Sequence, residues 1–206
     1  MPHFDAILFD FDGVLADTEP FHCSCWAEVL KPFGIALEWD YYRAHGQGVD
    51  DKEMLRALAA RVHPPADWRP LFAEYPRKRE LLRQRLSAHP PFDPALDAFL
   101  AGLHGTYKLA VVTSSSRGES DPLLAAGGLL GHFDALIGAE DVAHRKPDPE
   151  PYRKAAELLG ARTPLVVEDS AAGLASARAA GFAALAVASP GEMPALLTRR
   201  LGGSVL

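Results

Sequence analysis

Cysteine is scarce. The chain of 206 residues has two, Cys23 and Cys25. One residue separates them on a stretch expected to be helical, so their side chains point to different faces, which disfavours a disulfide. Two thiols alone do not complete a zinc site. Free thiols fit a reducing compartment, and the expectation is a soluble, cytoplasmic protein. Long apolar runs are missing too. No stretch reaches the ~18 residues of a membrane-spanning helix. Asp5 and Asp10 interrupt the apolar N-terminal run that a signal peptide needs. Positive charge is in deficit, with 21 Lys and Arg against 27 Asp and Glu and a formal charge of −6. A nucleic-acid-binding surface usually needs a basic stripe, so neither nucleic acid nor membrane is expected as a partner. The same deficit requires any site for an anionic substrate to be locally basic or to hold a metal. Internal repeats and low-complexity tracts are absent as well.

What is present is the capacity to build a core. Hydrophobic residues make up 48% of the chain. The length suits one sizeable domain, or one domain with a smaller insert, and nothing demands more than a monomer. Residues 6–9, AILF, form a short apolar run suited to a buried parallel strand. From Thr18 to about Ser87 only helical signals follow. Thr18 can cap a helix, and Pro20 is tolerated in its first turn. Phe21, Trp26, Val29 and Leu30 recur near helical spacing until Pro32 and Gly34. Met54, Leu55, Leu58 and Val62 suggest a second helix. Leu71, Tyr75, Leu81, Leu82 and Leu86 suggest more, punctuated by Pro64, Pro65 and Pro76. The proline-rich HPPFDP, residues 89–94, reads as a linker.

Beyond the linker, strands and helices alternate. Apolar strands are expected at 108–113, 135–137, 164–168 and 183–187. Helices are expected at 96–103, 123–130, 151–159 and 170–180. Alternation implies a parallel sheet covered on both faces, an α/β, Rossmann-like, doubly wound core. The first strand belongs to this series. The expected organisation is therefore a core of residues 1–16 and 90–206 with an α-helical insert at 17–89. Ligands of such sheets bind at the carboxyl ends of the strands. Polar clusters follow the apolar runs accordingly: Asp10 and Asp12 after AILF, Thr113 to Ser116 after KLAVV, and Glu168 and Asp169 after PLVV.

Four acids on one sheet edge repel. Two unit charges ~5 Å apart cost roughly 3 kcal/mol at an effective dielectric near 20. Protonation is one escape and a bound cation is another. The ligands on offer are oxygens alone, which favours a hard cation, most often Mg²⁺ where phosphate is the other ligand. A single Asp after a strand is more often a helix cap or turn residue. Two acidic clusters together with a hydroxyl cluster argue for a site.

The motifs that carry these residues resemble those of the haloacid dehalogenase-superfamily phosphohydrolases, in the group with phosphoglycolate phosphatase and β-phosphoglucomutase. DFDGVLADTE is similar to the first motif, the strand ending in Thr113 to the second, Lys146 in RKPDPEPY to the third, and VVEDSAAGLASARAAG to the fourth, all in the family's order. The resemblance implies that Asp10 is the nucleophile and passes through an aspartyl phosphate, and that Asp12 is the general acid and then the base. It implies that Asp10, the main-chain carbonyl of Asp12 and Asp169 hold Mg²⁺, with Glu168 acting nearby through a metal-bound water. Thr113, favoured over Ser114 because it directly follows the strand, would donate to phosphoryl oxygens. Lys146 would neutralise charge on the nucleophile and the phosphoryl group.

The helical insert resembles this group's cap, which closes over substrate and sets specificity. Asp17 and Thr18 then belong to the hinge, and Thr18 and His22 would face the cleft. The mutase has a histidine at the place of His22, where it engages the sugar and the acid–base Asp. The mutase also has basic residues around its Gly-Val, where this chain reads Gln47-Gly48-Val49-Asp50-Asp51. An Asp51 there would repel the distal phosphate of a bisphosphate, which favours a phosphatase over a mutase. Lys78, in PRKRELL, matches a cleft-facing cap lysine or belongs to a solvated basic face, and Arg117 is a candidate substrate contact. The expected activity is Mg²⁺-dependent hydrolysis of a small phosphorylated metabolite, a sugar or organic acid phosphate. The alternatives are a β-phosphoglucomutase-like sugar phosphomutase and a non-catalytic phosphate-binding protein.

Overall fold

A computed structural model describes residues 3–47 and 49–203. Gly48 of the Gln47–Asp51 segment lies outside the described residues, as do residues 1, 2 and 204–206. Among the described residues no helix is long and apolar enough to cross a membrane. The chain forms two compact units, one of the residues up to Asp17 together with those from Pro90 onward, the other Thr18–His89.

The chain opens with β1 (Ala6–Phe9), buried at every position. It then enters the helical unit. In α1 (Glu19–Leu30), Pro20 stands in the first turn, where its missing N–H is no loss. Thr18 takes the N-cap position by its backbone, yet its side chain makes no capping hydrogen bond. A 3₁₀ turn over Lys31–Phe33 and Gly34, at φ 69°, ends the helix. The next helix, α2 (Trp39–His45), goes beyond the sequence expectation. It is short and buries Tyr42 alone, so it shows no apolar period. In α3 (Asp51–Arg61) the Asp50 side chain caps the Lys52 N–H, and Met54, Leu55 and Leu58 turn inward. After α4 (Trp68–Phe72) comes α5 (Tyr75–Ala88), in which Pro76 occupies the first turn and does not interrupt. These helices bury their own core around Trp26, Leu30, Met54, Leu55 and Leu71.

The other unit continues with α6 (Leu96–Leu103), β2 (Lys108–Val112) and α7 (Arg117–Ala126). The sequence places this last helix at 123–130. It begins earlier because its first turns, RGESD, are polar and carry no apolar period. It stops at Gly127, and Leu130 belongs to a separate 3₁₀ turn. There follow β3 (Ala135–Ile137), α8 (Glu150–Leu159), β4 (Pro164–Glu168), α9 (Ala171–Ala180), β5 (Ala183–Ala186) and α10 (Met193–Arg200). No sequence expectation corresponds to α10.

The five strands form one sheet in the order β3-β2-β1-β4-β5, parallel throughout. This is the expected α/β architecture. Tyr152, Ala155 and Leu159 of α8 pack on Leu8, Ala110, Val112 and Val166 on one face of the sheet. Successive strand residues alternate faces, and Ile7, Leu109, Val111, Leu165 and Val167 on the other face are also buried. The central strand β1 aligns Phe9 with Val111 on one side and with Val167 on the other. Its end and those of β2 and β4 therefore open onto one edge.

Leu8 is fully buried between strand neighbours and α8. Leu8→Ala is expected to cost about 2–5 kcal/mol of stability. The readout is a lower urea midpoint in far-UV circular dichroism. Tryptophan fluorescence is not the probe for it, because Trp26, Trp39 and Trp68 all lie in the helical unit.

Candidate active site

The sheet's hydrogen bonding runs one residue past the strands and fixes the backbone of the site. The Asp10 N–H donates to the Val167 carbonyl at 2.9 Å, and the Thr113 N–H to the Ile137 carbonyl at 2.9 Å. The Val187 N–H donates to the carbonyl of Glu168 at 2.9 Å. Beyond Asp10 the chain turns back at Gly13, at φ 79°, whose N–H donates to the Ala16 carbonyl at 2.8 Å. A Cβ at Gly13 would lie 2.1 Å from Asp169 Oδ2, so glycine is needed both for its dihedral and for the approach of Asp169.

Lys146 ties the edge together. Its Nζ donates to Asp10 Oδ1 at 2.7 Å, to Glu168 Oε1 at 2.7 Å and to the Val112 carbonyl at 2.8 Å. Three donors meet three acceptors, so the ammonium is satisfied although its side chain is only 5% exposed. Glu168 is saturated in turn. Its Oε1 also accepts from the Tyr152 hydroxyl at 2.9 Å, and its Oε2 accepts from both the N–H and the hydroxyl of Ser170 at 2.9 Å. That fills the roughly four lone-pair sites of a carboxylate. Ser170 Oγ also accepts from the Gly173 N–H at 3.0 Å, so one residue both caps α9 and holds the acid.

The charge does not balance. Among the described residues, Asp10, Asp12, Glu168 and Asp169 bring four carboxyls against the ammonium of Lys146. Burial pushes the Asp10 carboxyl up to about 7; Lys146 opposes this, while Glu168 and Asp12 add to it. Burial, then the charge of Glu168, pushes Asp169 up to about 6. Burial also works against the Glu168 charge, but Lys146 and the Ser170 N–H hold its carboxyl below the usual range. Burial disfavours the Lys146 ammonium, and Asp10 and Glu168 more than offset it, so its pKa is raised. Carboxylate oxygens of Asp10, Glu168 and Asp169 lie within 4.8 Å of one another. An all-oxygen donor set with excess negative charge fits a hard divalent cation.

The hydroxyl run resolves into separate positions. Thr113 is buried, and its Oγ1 accepts from the Ser115 N–H at 3.0 Å, which leaves the use of its own proton open. Ser114 is exposed. The Ser115 hydroxyl donates to Asp12 Oδ2 at 3.2 Å. Arg117 places its Nε and Nη2 on Asp121 Oδ2 at 3.0 and 2.7 Å, so its guanidinium is engaged by its own helix.

In the helical unit Lys78 does not sit on a solvated face; it is 2% exposed. Its Nζ bonds His22 Nδ1 at 3.0 Å and Asp51 Oδ2 at 3.3 Å, and lies 5.4 Å from the Trp26 ring centroid. The Trp26 Nε1 donates to Asp51 Oδ1 at 2.7 Å. Burial, then the charge of Lys78, pushes His22 down to about 3, so the imidazole is neutral and its Nδ1 accepts. Thr18 is buried, and Gln47 is exposed just past α2. Tyr152 and Gly173 are not among the residues that the sequence singles out, and Ser115 enters there only as part of the hydroxyl run Thr113 to Ser116. Tyr152 lies in the helix expected at 151–159; its ring is core and its hydroxyl meets Glu168.

Residues 7–187 match the family model described as haloacid dehalogenase-like hydrolase. The chain is 32% identical over 186 residues to fructose-1-phosphate phosphatase YqaB of Escherichia coli K12, covering 89% of this chain and 96% of that protein. It is 34% identical over 200 residues to a plasmid phosphoglycolate phosphatase of Cupriavidus necator, covering 93% and 85%. Among solved structures it is similar to CbbY from Rhodobacter sphaeroides in complex with phosphate. The TM-score is 0.67 and the identity 27%, over 88% of this chain and 85% of that one.

Gly173 offers a test by sign. Alanine in a helix interior ordinarily stabilises by roughly 0.5–1 kcal/mol relative to glycine. A Cβ here would fall 1.6 Å from Glu168 Oε1, in a carboxylate held by four hydrogen bonds. Gly173→Ala is therefore expected to lower the thermal midpoint, whereas helix propensity alone would raise it.

Proposed function

The chain belongs to the haloacid dehalogenase-like hydrolase family and is a phosphoric monoester hydrolase; from that premise we propose that it is a Mg²⁺-dependent phosphatase of a small phosphorylated metabolite, working through an aspartyl phosphate on Asp10. The observation that carries this reading is Asp10 itself. It is a nearly buried carboxylate at the end of the central strand, 2.7 Å from the Lys146 ammonium, with further carboxylate oxygens within 4.8 Å. The family relatives named as phosphatases of fructose 1-phosphate and phosphoglycolate support a sugar or organic acid phosphate as substrate.

In this reading an Asp10 oxygen attacks phosphorus. The bond from phosphorus to the leaving oxygen breaks, and Asp12 gives that oxygen its proton. Water then attacks the phosphoryl group on Asp10, and Asp12 takes the proton of that water. The bond between Asp10 and phosphorus breaks, which releases inorganic phosphate and restores both groups. Lys146 screens the charge on Asp10 and on the phosphoryl oxygens, and the Thr113 hydroxyl donates to those oxygens. Asp10, Asp169 and the main-chain carbonyl of Asp12 would hold Mg²⁺, which when bound neutralises developing phosphoryl charge. Glu168, saturated by its neighbours, acts by fixing Lys146 and not as a direct ligand. The helical insert takes the role of a substrate-selecting cap. Lys78 is engaged by Asp51 and His22, which argues against a second, distal phosphate and so against the sugar phosphomutase. Retention of Asp10, Asp12, Lys146 and Asp169 together argues against a non-catalytic binding protein.

Asp10→Asn is expected to abolish phosphate release from a generic aryl phosphate, with the circular dichroism spectrum unchanged. Excess chelator should do the same to the unaltered protein. Full turnover under either condition would refute the mechanism. The pH dependence of Mg²⁺ binding follows from the metal-free pKa values of about 7 for Asp10 and about 6 for Asp169. Both raised acids must lose a proton to bind the ion. Affinity should therefore rise as pH climbs from about 5 to about 8, with proton release at the acid end. Calorimetric titration in buffers of different ionisation enthalpy measures that release, and a pH-independent affinity would count against Asp10 and Asp169 as ligands.

A further inference from the structure

Ser115 stands outside the roles given above, yet its side chain is aimed. The loop that follows β2 is pinned on both sides of this residue. The Ser115 N–H donates to Thr113 Oγ1 at 3.0 Å. The Ser115 carbonyl accepts from the Ala139 N–H at 2.9 Å. Ala139 opens the 3₁₀ turn Ala139–Asp141 after β3, and that turn is closed by Asp141 Oδ2, which accepts from the Gly138 N–H at 2.8 Å. Two neighbouring strand ends thus fix the serine backbone. From there its hydroxyl reaches Asp12 Oδ2 at 3.2 Å, across to the loop that follows β1.

The contact bears on what Asp12 must do. It is only half-buried and lies in a loop beyond the strand, next to a glycine with positive φ. A carboxyl that must deliver a proton to one leaving oxygen and then take one from water works only within hydrogen-bond reach of both. A hydroxyl held by the sheet restricts the rotation of that carboxyl without adding charge.

We propose that Ser115 is a positioning residue for Asp12, holding the acid–base carboxyl by its Oδ2 in the orientation that protonates the leaving group. The inference rests on the acid–base role proposed for Asp12. It also separates the hydroxyls of the run, since Thr113 faces the phosphoryl group and supports the loop, while Ser115 serves the acid.

The test uses leaving-group dependence, which a structural role does not alter. The kcat/KM of Ser115→Ala is measured on an alkyl phosphate, whose leaving oxygen must be protonated, and on 2,4-dinitrophenyl phosphate, whose leaving oxygen need not be. The expected result is a fall of roughly 10–100-fold on the alkyl ester. The change on the dinitrophenyl ester should stay within about threefold. Ser115→Thr, which keeps the hydroxyl, should recover most of the alkyl activity. Asp12→Asn, run alongside, should show the same bias more strongly. If Asp12→Asn shows the bias while Ser115→Ala is unchanged, or loses both substrates equally, the inference is overturned and the phosphatase reading stands. If the unaltered protein hydrolyses neither ester, or Asp12→Asn shows no bias, the reading of Asp12 fails and the inference falls with it.

Discussion

One ammonium organises the sheet edge that carries the candidate site. Lys146 Nζ contacts Asp10, Glu168 and the carbonyl that ends β2, so it joins the ends of three neighbouring strands through a single group. Removing a partner from such a buried pair leaves a charge that the interior cannot solvate. The surroundings are built to keep it whole. Tyr152 and Ser170 occupy the remaining lone pairs of Glu168, and Gly173 has no Cβ because the Glu168 carboxylate stands where one would be. Gly13 yields space in the same way to Asp169. Even so, one cation cannot match four carboxyls. The raised pKa values of Asp10 and Asp169 express that imbalance as a tendency to hold protons, which a divalent ion would replace.

The helical unit handles a buried cation differently. Lys78 is almost fully buried, and it is matched within the unit by Asp51, by neutral His22 and by aromatic faces. Trp26 fixes the other oxygen of Asp51, so the arrangement links α1, α3 and α5. In this unit the charge is closed on itself. On the sheet edge it is left open, and open charge is what a reaction centre needs.

Much of this is legible in the sequence, for a physical reason. A parallel sheet hides its strands and leaves their carboxyl ends for chemistry, so several polar clusters directly after apolar runs point to a site where a single one would not. AILF followed by Asp10, and PLVV followed by Glu168, carry that signal without an alignment. The strand limits follow from the apolar runs to within a residue for the same reason. Weaker signals are lost. The polar first turns of α7 mask its start, and α2 is too short to show a period. Tyr152 satisfies the helical apolar pattern so well that its hydroxyl has no separate signature. In the run Thr113 to Ser116 composition cannot say which hydroxyl faces which acid, because that is decided by Ala139, a residue on another strand's loop. The basic run around Lys78 leaves a solvated face and a cap lysine equally open, because its partner Asp51 stands in another helix.

The central claim is that Asp10 carries the phosphoryl group during turnover. The direct measurement is an acid quench of the protein while it is hydrolysing an excess of phosphate ester, followed by mass spectrometry of its peptides. A phosphoryl group should be found on the peptide containing Asp10, and it should vanish on treatment with hydroxylamine, which cleaves acyl phosphates. Turnover with no phosphorylated peptide, or with the phosphoryl group on another residue, would contradict the account.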